Sequence, residues 1–174
     1  TPAIHGDRAR YLETYWSTFP DIWRHGDWVR CDADGTWYIL GRSDDTLNIA
    51  GKRIGPPEIE AALTETGKVV DAAAIAAPDD IKGVAVVCVC VAAPGVTPDD
   101  ALVEQLRERV GEVVSKPFRP REIYFVEALP KTRSMKTMRR IVRAAFLDED
   151  PGDLSSISNP ETIQPIAALR KEKP

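Results

Sequence analysis

Residues 69–93, VVDAAAIAAPDDIKGVAVVCVCVAA, consist of two apolar runs separated by a short polar segment. Val69 to Ala77 and Gly83 to Ala93 contain mostly small or β-branched residues, with little alternation between polar and apolar positions. Runs of this kind suit central strands that are covered on both faces. The stretch therefore predicts two neighbouring strands, joined by a turn at Asp79–Gly83, with other elements packed on both sides.

The flanking segments predict the elements that cover these strands. Apolar residues spaced by three and four positions predict helices, and short apolar runs predict further strands. In chain order these are a hairpin at 46–54, a helix opening at Pro56, the two central strands, a helix at 98–115, a strand at 122–126 and a helix from Met138. The buried face expected of the long helix comprises Leu102, Leu106, Val110 and Val113. The order predicts an α+β domain, with a β-hairpin and a three-stranded sheet packed with helices.

The first 43 residues differ from the rest in composition. All four tryptophans and three of the four tyrosines lie within the first 38 residues. A segment this short cannot bury so many large rings by itself. We therefore expect residues 1–43 to end a larger, incomplete N-terminal domain, residues 44–147 to form the C-terminal domain, and residues 148–174 to form a polar tail with a short helix. The absence of an initial methionine also favours a fragment or a processed chain.

Composition argues against several classes of protein. Hydrophobic residues at 43% and charged residues at 29% are ordinary for a globular chain. No apolar run approaches the roughly 18 residues of a membrane span, and no signal peptide opens the chain. Cys31, Cys88 and Cys90 are an odd number, which argues against a disulfide framework and fits a reducing cytoplasm. With only two histidines, a metal site is not expected, and Cys88 and Cys90 are predicted to be buried on one strand face.

A basic run follows the third predicted strand. Six cations and no acid occupy residues 131–143, although the chain has a formal net charge of −4. A positive loop on an acidic protein suggests a site for a polyanion such as a nucleotide phosphate. The alternatives are a solvated helix start and a nucleic-acid-binding patch. Net acidity and the lack of aromatic stacking residues in the run argue against nucleic acid.

Three motifs, in order along the chain, carry a family resemblance. Residues 130–136, PKTRSMK, resemble P-K-T-x-S-G-K, and residues 41–60, GRSDDTLNIAGKRIGPPEIE, resemble a hinge segment that ends in P-x-E-x-E. His25-Gly26-Asp27 resembles a T-G-D segment. Together, over about residues 23–147, they resemble the C-terminal region of the AMP-forming acyl-CoA synthetases of the acetyl-CoA synthetase type, which belong to the acyl-adenylate-forming enzymes.

The resemblance implies a ligase reaction in two steps. A carboxylate attacks the α-phosphate of ATP, which gives an acyl-adenylate and pyrophosphate, and the thiol of coenzyme A then attacks the acyl carbon and expels AMP. The resemblance places the ATP loop, the acyl pocket and the Mg²⁺ expected with ATP on the large N-terminal domain. That domain is therefore the first expected partner, and this chain alone is expected to be inactive. Acetate or propionate is the acyl group that the motifs suggest.

For the first step, the resemblance implies roles for three residues. Lys136 is expected to be the catalytic lysine, since a flexible ammonium can contact both the carboxylate and the phosphate. Asp27 is expected to accept hydrogen bonds from the ribose hydroxyls, and Arg42 to lie near the ribose and phosphate. The simpler alternatives are a surface lysine and a turn aspartate.

For the second step, the resemblance implies a rotation of the small domain about Asp44. The rotation exchanges Lys136 for the Gly51 hairpin, whose backbone is expected to line the path of the pantetheine arm of coenzyme A. Arg53 is expected to bind a nucleotide or coenzyme A phosphate, and Arg107 to contact coenzyme A. Gly51 could equally serve as an ordinary hairpin glycine, and Asp44 as an ordinary linker residue.

Two departures and two further alternatives complete the prediction. Met135 replaces a glycine, which is expected to stiffen the lysine loop, and His25 replaces a threonine that faces the nucleotide in the family. The acyl group could be delivered to a carrier-protein thiol instead of coenzyme A. The domain could also be a lysine-acetylation target, with Lys136 read by an acetyltransferase or a deacetylase. Neither nucleic acid nor a membrane is an expected partner.

Overall fold

The computed structural model describes residues 5–43, 45–80 and 83–170. The chain divides into two compact units, Thr1–Asp44 and Asp45–Pro174. The described residues of unit 1 form one helix and two strands: α1 Arg8–Trp16, β1 Asp27–Cys31 and β2 Trp37–Arg42. Unit 2 contains β3 Leu47–Ile49, β4 Lys52–Ile54, α2 Pro56–Thr64, β5 Val69–Asp79, β6 Gly83–Ala92, α3 Asp100–Val113, β7 Glu122–Phe125, α4 Arg139–Leu147 and α5 Ile163–Ala168. The predicted α+β class is confirmed.

The two apolar runs form the edge and the centre of a three-stranded sheet in the order β5-β6-β7. β5 and β6 are antiparallel, and β7 pairs with β6 in parallel. Because successive side chains point to opposite faces, each strand supplies two packed surfaces. Ala72, Ala74, Cys88 and Cys90 lie in one core, whereas Ala73, Ile75, Val87 and Val89 lie in the other. The prediction that both faces are covered, with both cysteines on one of them, is confirmed.

Different elements cover the two faces. The first core contains the apolar residues of the β3–β4 hairpin, α2 and α3, including Ile49, Ile59 and Leu106. The second core contains residues of α4 and α5, with Leu129 from the loop that leads to the basic run. The hairpin and the basic run therefore belong to opposite sides of the sheet.

The long helix is shorter than predicted and buries a shorter face. It begins after Asp99, whose carboxylate accepts a hydrogen bond from the amide of Leu102 at 2.8 Å and so caps the first turn. Leu102, Leu106 and Val110 are buried as expected. Val113, the last helical residue, is 48% exposed, so its predicted burial is wrong and the apolar face ends one turn earlier.

The segment after α4 packs on the second core. Ile166 of α5 is fully buried, and Ile163, Ala167 and Leu169 pack beside it. The predicted short helix is confirmed. None of the helices in the described part of the chain has the length and apolar character that crossing a bilayer requires.

Unit 1 contains a helix that the sequence patterns did not predict. Asp7 caps α1 by accepting a hydrogen bond from the amide of Arg10, and Tyr11 is its one buried residue. The ring of Tyr15 contacts those of Tyr11 and Trp23, at centroid distances of 5.5 and 5.6 Å respectively. β1 and β2 form a two-stranded antiparallel ribbon that pairs Asp27 with Arg42.

Candidate functional site

Lys136 lies in a tight turn between two paired residues, Lys131 and Thr137. Two amides close the turn from opposite sides: Met135 donates to the carbonyl of Thr132 at 2.9 Å, and Thr132 donates to the carbonyl of Lys136 at 2.9 Å. The amide of Lys136 also donates to Oγ1 of Thr132 at 3.1 Å. The backbone of Lys136 is thus fixed, while its side chain is exposed. Helix α4 begins at Arg139, directly after Met138, where the sequence predicted its start.

Met135 adopts a backbone conformation that favours glycine. Its φ is +63°, in the left-handed region, and its side chain is 68% exposed. A turn of this kind, closed by a residue in the left-handed region, usually has glycine there. The geometry explains why the family pattern has glycine before the lysine. Methionine fits without a clash, because it points to solvent, but at a conformational cost of about 1–2 kcal/mol.

The cations of the basic run are partly neutralised by acids from other parts of unit 2. Lys131 pairs with Asp71 at 2.7 Å, and Arg143 pairs with Glu149 at 2.5 Å. Arg139 makes a two-pronged contact with Glu60, which raises the pKa of the Arg139 guanidinium further above its ordinary value. Within the described residues, the ammonium of Lys136 has no ion-pair partner. The run is therefore not a uniform positive patch, which weakens the nucleic-acid hypothesis.

The polar tail also holds the stem of this turn. The side-chain oxygen of Asn159 accepts a hydrogen bond from the amide of Lys131 at 2.8 Å, and the Asn159 amide group donates to the carbonyl of Leu129 at 2.9 Å. The amide of Ser158 donates to the carbonyl of Lys131 at 2.8 Å. The tail is thus a structural part of the loop that presents Lys136.

In unit 1, the two residues expected near the ribose are neighbours. A carboxylate oxygen of Asp27 lies 3.5 Å from Nη1 of Arg42, and the other lies 2.5 Å from Nδ1 of His25. The Asp27 side chain is 15% exposed. His25 is itself held by an edge contact with Trp23 at 5.2 Å between ring centroids. The residue that replaces the family threonine therefore occupies one face of the carboxylate assigned to the ribose.

Gly26 allows this arrangement. Its φ is +87°, and a Cβ placed there would lie 3.1 Å from Nη2 of Arg42. Any larger residue would combine an unfavourable backbone with a crowded guanidinium. The glycine of this motif therefore sets the approach of Arg42 to Asp27.

The β3–β4 hairpin presents Gly51 at its tip. Ala50 and Gly51 both have positive φ, at 50° and 78°, as a two-residue turn between antiparallel strands requires. A Cβ at Gly51 would meet nothing within 4 Å in the described residues. The backbone at this tip is therefore open to a ligand, and Arg53 lies exposed on the strand that follows.

Arg107 is half-buried beside an open cavity of about 810 Å³. Its Nε donates to the carbonyl of Pro120 at 2.8 Å, and its Nη1 lies 3.3 Å from Glu104. The cavity is also lined by three further cations, Lys116, Arg119 and Arg121, and by three acids, Asp79, Glu108 and Glu112. Arg107 and Arg119 are paired with Glu104, and Arg121 is paired with Asp79. Most of the positive charge beside the cavity is therefore neutralised within the protein.

Sequence patterns alone did not identify the acids that fix the lysine turn. Glu60 and Asp71 lie on α2 and β5, far from Lys136 in sequence, so only the fold brings them to the basic run. The one signal was an acid, Asp71, inside an otherwise apolar strand. The predicted hinge residue Asp44 lies outside the described residues. In the described part of the chain, no group of three or more histidine, cysteine or acidic side chains is suited to hold a metal ion.

Comparisons with known proteins agree with the three motifs. Residues 58–136 match the model of the AMP-binding enzyme C-terminal domain. The acetyl-coenzyme A synthetase of Pyrobaculum aerophilum is 38% identical over 161 residues, which cover 92% of this chain and 24% of that protein. The acetyl-coenzyme A synthetase 2 of Pseudomonas putida is 40% identical over 170 residues, which cover 97% of this chain and 26% of that protein.

A solved structure extends the likeness to the fold. The acetoacetyl-CoA synthetase from Streptomyces lividans superposes with a TM-score of 0.80 at 28% identity, over 95% of this chain and 25% of that one. The chain thus spans about a quarter of the length of the curated relatives it matches. On these matches, the chain belongs to the AMP-forming acyl-CoA synthetases and corresponds to their C-terminal region.

Proposed function

We propose that this chain works as the C-terminal part of an enzyme that activates a small carboxylate with ATP and transfers the acyl group to coenzyme A. One observation carries the proposal. An exposed lysine without an ion-pair partner in the described residues stands on a turn whose stems are anchored by acids, and an open glycine hairpin lies on the other side of the same sheet.

Lys136 acts in the first step. The carboxylate nucleophile and the α-phosphate are both anions, so a cation that contacts both lowers the barrier as charge is redistributed. An ammonium that has no ion-pair partner in the described part of the chain can make these contacts. Because the backbone of the turn is fixed, the side chain of Lys136 can sample only positions close to it.

The Gly51 hairpin acts in the second step. Without a side chain at its tip, the backbone can approach the pantetheine arm of coenzyme A closely. Arg53, exposed on the second strand of the hairpin, supplies positive charge for a phosphate of the nucleotide or of coenzyme A. The assignment of Arg107 to coenzyme A rests on the family resemblance alone.

The separation of these two elements supports the proposed rotation about Asp44. The hairpin packs with the first core and the lysine loop with the second. In any one orientation of unit 2, only the hairpin or the lysine loop could therefore lie at a given reaction centre. A domain that rotates between the two steps would present each element in turn.

The remaining expectations depend on parts of the protein outside this chain. Asp27 and Arg42 would receive the ribose, with His25 sharing the carboxylate. The large N-terminal domain would bind ATP with Mg²⁺, and the acetyl or propionyl group is our preferred substrate. We further propose a cytoplasmic enzyme, in which acetylation of Lys136 would remove both its charge and its donors.

The test measures the two half-reactions separately in the complete protein that carries this chain. We expect Lys136→Ala to lower pyrophosphate release by about a hundredfold or more and to spare thioester formation from supplied acyl-adenylate. We expect Gly51→Leu to do the reverse. Gly67→Leu is the matched control, because Gly67 also has a positive φ of 68° with nothing within 4 Å of a Cβ. Equal losses in both half-reactions for Lys136→Ala, or an effect of Gly67→Leu as large as that of Gly51→Leu, would reject the division of labour.

A further inference from the structure

We propose that Asp71 is a positioning residue for Lys136, because its carboxylate ties together the two stems of the lysine turn. The inference rests on the proposed function, in which Lys136 serves the first half-reaction. It adds a residue of the central sheet to the machinery that presents the lysine.

The contacts of Asp71 reach both ends of the turn. Oδ2 of Asp71 lies 2.7 Å from Nζ of Lys131, and Oδ1 lies 3.4 Å from Oγ1 of Thr137, which is in position to donate. Lys131 and Thr137 are the residues that pair across the base of the turn. The side chains of Asp71 and Lys131 are each 23% exposed, so their contact is only partly screened by water. One carboxylate thus closes the base of the turn with one oxygen for each stem.

The regular alternation of side chains along β5 places Asp71 where it can do this, and an irregularity just before it changes the face of Val69. The pairing with β6 shifts between Val69 and Asp71, so that Val70 is an extra residue that is 56% exposed. Such a bulge changes which face the preceding side chain occupies. Val69 can therefore lie in the first core, while Asp71, opposite Val91, points toward the α4 side of the sheet.

A second anchor follows directly after the turn. Arg139, the first residue of α4, donates to both carboxylate oxygens of Glu60 at 2.6 and 2.5 Å, and its Nη1 lies 3.7 Å from Asp45. This contact fixes the start of the helix. The entry stem, at Lys131, is held instead by Asp71 and Asn159. Asp71 is the residue whose side chain contacts both stems, so its loss should loosen the turn rather than the helix.

The first arm of the test uses limited trypsin digestion of the 174-residue chain. Arg133 and Lys136 are exposed, and cleavage there requires the turn to open. Asp71→Asn keeps an acceptor for Thr137 but removes the charge that holds Lys131. We expect it to raise cleavage after Lys131, Arg133 and Lys136 by about threefold or more. The control is Glu149→Gln, which removes the acid paired with another cation of the run, Arg143, and should leave these sites unchanged.

The second arm measures the half-reactions in the complete protein. We expect Asp71→Asn to lower the kcat of pyrophosphate release about tenfold, because a mobile turn spends less time in the productive geometry. The KM for ATP and thioester formation from supplied acyl-adenylate should change less than about twofold. Asp71→Glu, which keeps the charge, should recover part of the loss.

The outcomes separate this inference from the function on which it rests. If Lys136→Ala lowers pyrophosphate release and Asp71→Asn does not, the positioning role is rejected and the function stands. If Lys136→Ala itself has no effect, the proposed function fails. Equal losses in both half-reactions for Asp71→Asn, together with a lower melting temperature, would show that Asp71 only stabilises the fold.

Discussion

Unit 2 buries its apolar residues, whereas unit 1 exposes them. In unit 2, two cores flank one sheet, and residues such as Leu106, Val87 and Ile141 have no exposed surface. In unit 1, Tyr11 is the buried hydrophobic residue described, and ten large apolar side chains are more than a third exposed: Leu12, Trp16, Phe19, Ile22, Trp23, Trp28, Val29, Trp37, Tyr38 and Ile39.

The difference shows that local structure and stability have separate origins in this chain. Unit 1 has a capped helix, a pair of hydrogen-bonded strands, contacts between aromatic rings and polar contacts around Asp27. Little of its apolar surface is nevertheless buried. Unit 2 has both regular elements and a core. Exposed aromatic surface on this scale is typical of a face that other protein covers. The assignment of residues 1–43 to a larger domain stays a prediction.

The sharpest test of the comparison is a pair of truncations to alanine. Leu106 lies in the first core with no exposed surface, and Ile39 is 74% exposed. Leu106→Ala removes buried contacts and leaves a cavity, so we expect the free energy of unfolding to fall by about 3 kcal/mol. Ile39→Ala should change it by less than about 0.5 kcal/mol. Urea titrations monitored by circular dichroism measure both values, and similar losses for the two variants would remove the contrast.

The cysteines provide a second test through pH. Burial, with smaller contributions from the Glu60 and Asp71 carboxylates, raises the pKa of the Cys90 thiol to about 12. Burial also raises the pKa of Cys88, whereas Cys31 of unit 1 is exposed. The folded state therefore favours the neutral thiol, and this contribution to stability is complete below the ordinary thiol pKa near 9. It is lost as the pH rises from there toward 12, by about 1.4 kcal/mol per pH unit.

We therefore expect the Cys90 thiol to lower the free energy of unfolding by about 1.7 kcal/mol between pH 9 and pH 10.5, and the Cys88 thiol to add to this fall. Urea titrations under reducing conditions measure this slope. Cys90→Ala should make the slope shallower, and Cys31→Ala should leave it as it is. A slope that responds equally to both substitutions would place the two cysteines in equivalent environments, against the structure.

Much of the fold was predictable because its signals are local. The two apolar runs, the helical spacing around Leu106 and the proline at the start of α2 each depend on neighbouring residues. Helix α1 was not predicted, although Tyr11, Leu12, Tyr15 and Trp16 recur at helical spacing in its sequence, RARYLETYW. The burial of Val113 was overestimated because spacing predicts a face but not where the covering surface ends.

The candidate site likewise contains residues that the sequence could predict and contacts that it could not. Lys136, Asp27 and Gly51 were named from motifs, and their roles stay predictions. The contacts of Asp71 and Glu60 with the basic run could not be predicted, because they join residues 60 to 79 positions apart in the sequence. The contact between His25 and Asp27 depends on the local geometry of β1, which the substitution of threonine by histidine did not reveal.

A small gain in stability is expected at Met135, the most exposed large apolar residue described in unit 2. Its φ of +63° costs a residue with a Cβ about 1–2 kcal/mol, which glycine would not incur. Glycine, however, loses more backbone entropy on folding, by about 0.5–1 kcal/mol. The two terms oppose each other, so Met135→Gly should raise the free energy of unfolding by less than about 1 kcal/mol.

Met135→Ala separates the two terms in Met135→Gly. It removes the same exposed side chain but keeps the Cβ, so it should not stabilise the chain. Urea titrations of both variants in the 174-residue chain measure the difference. If Met135→Ala stabilises as much as Met135→Gly, the gain comes from removing an exposed apolar side chain and not from the left-handed backbone. If Met135→Gly destabilises, the entropy term exceeds the strain, and the turn tolerates methionine at little cost.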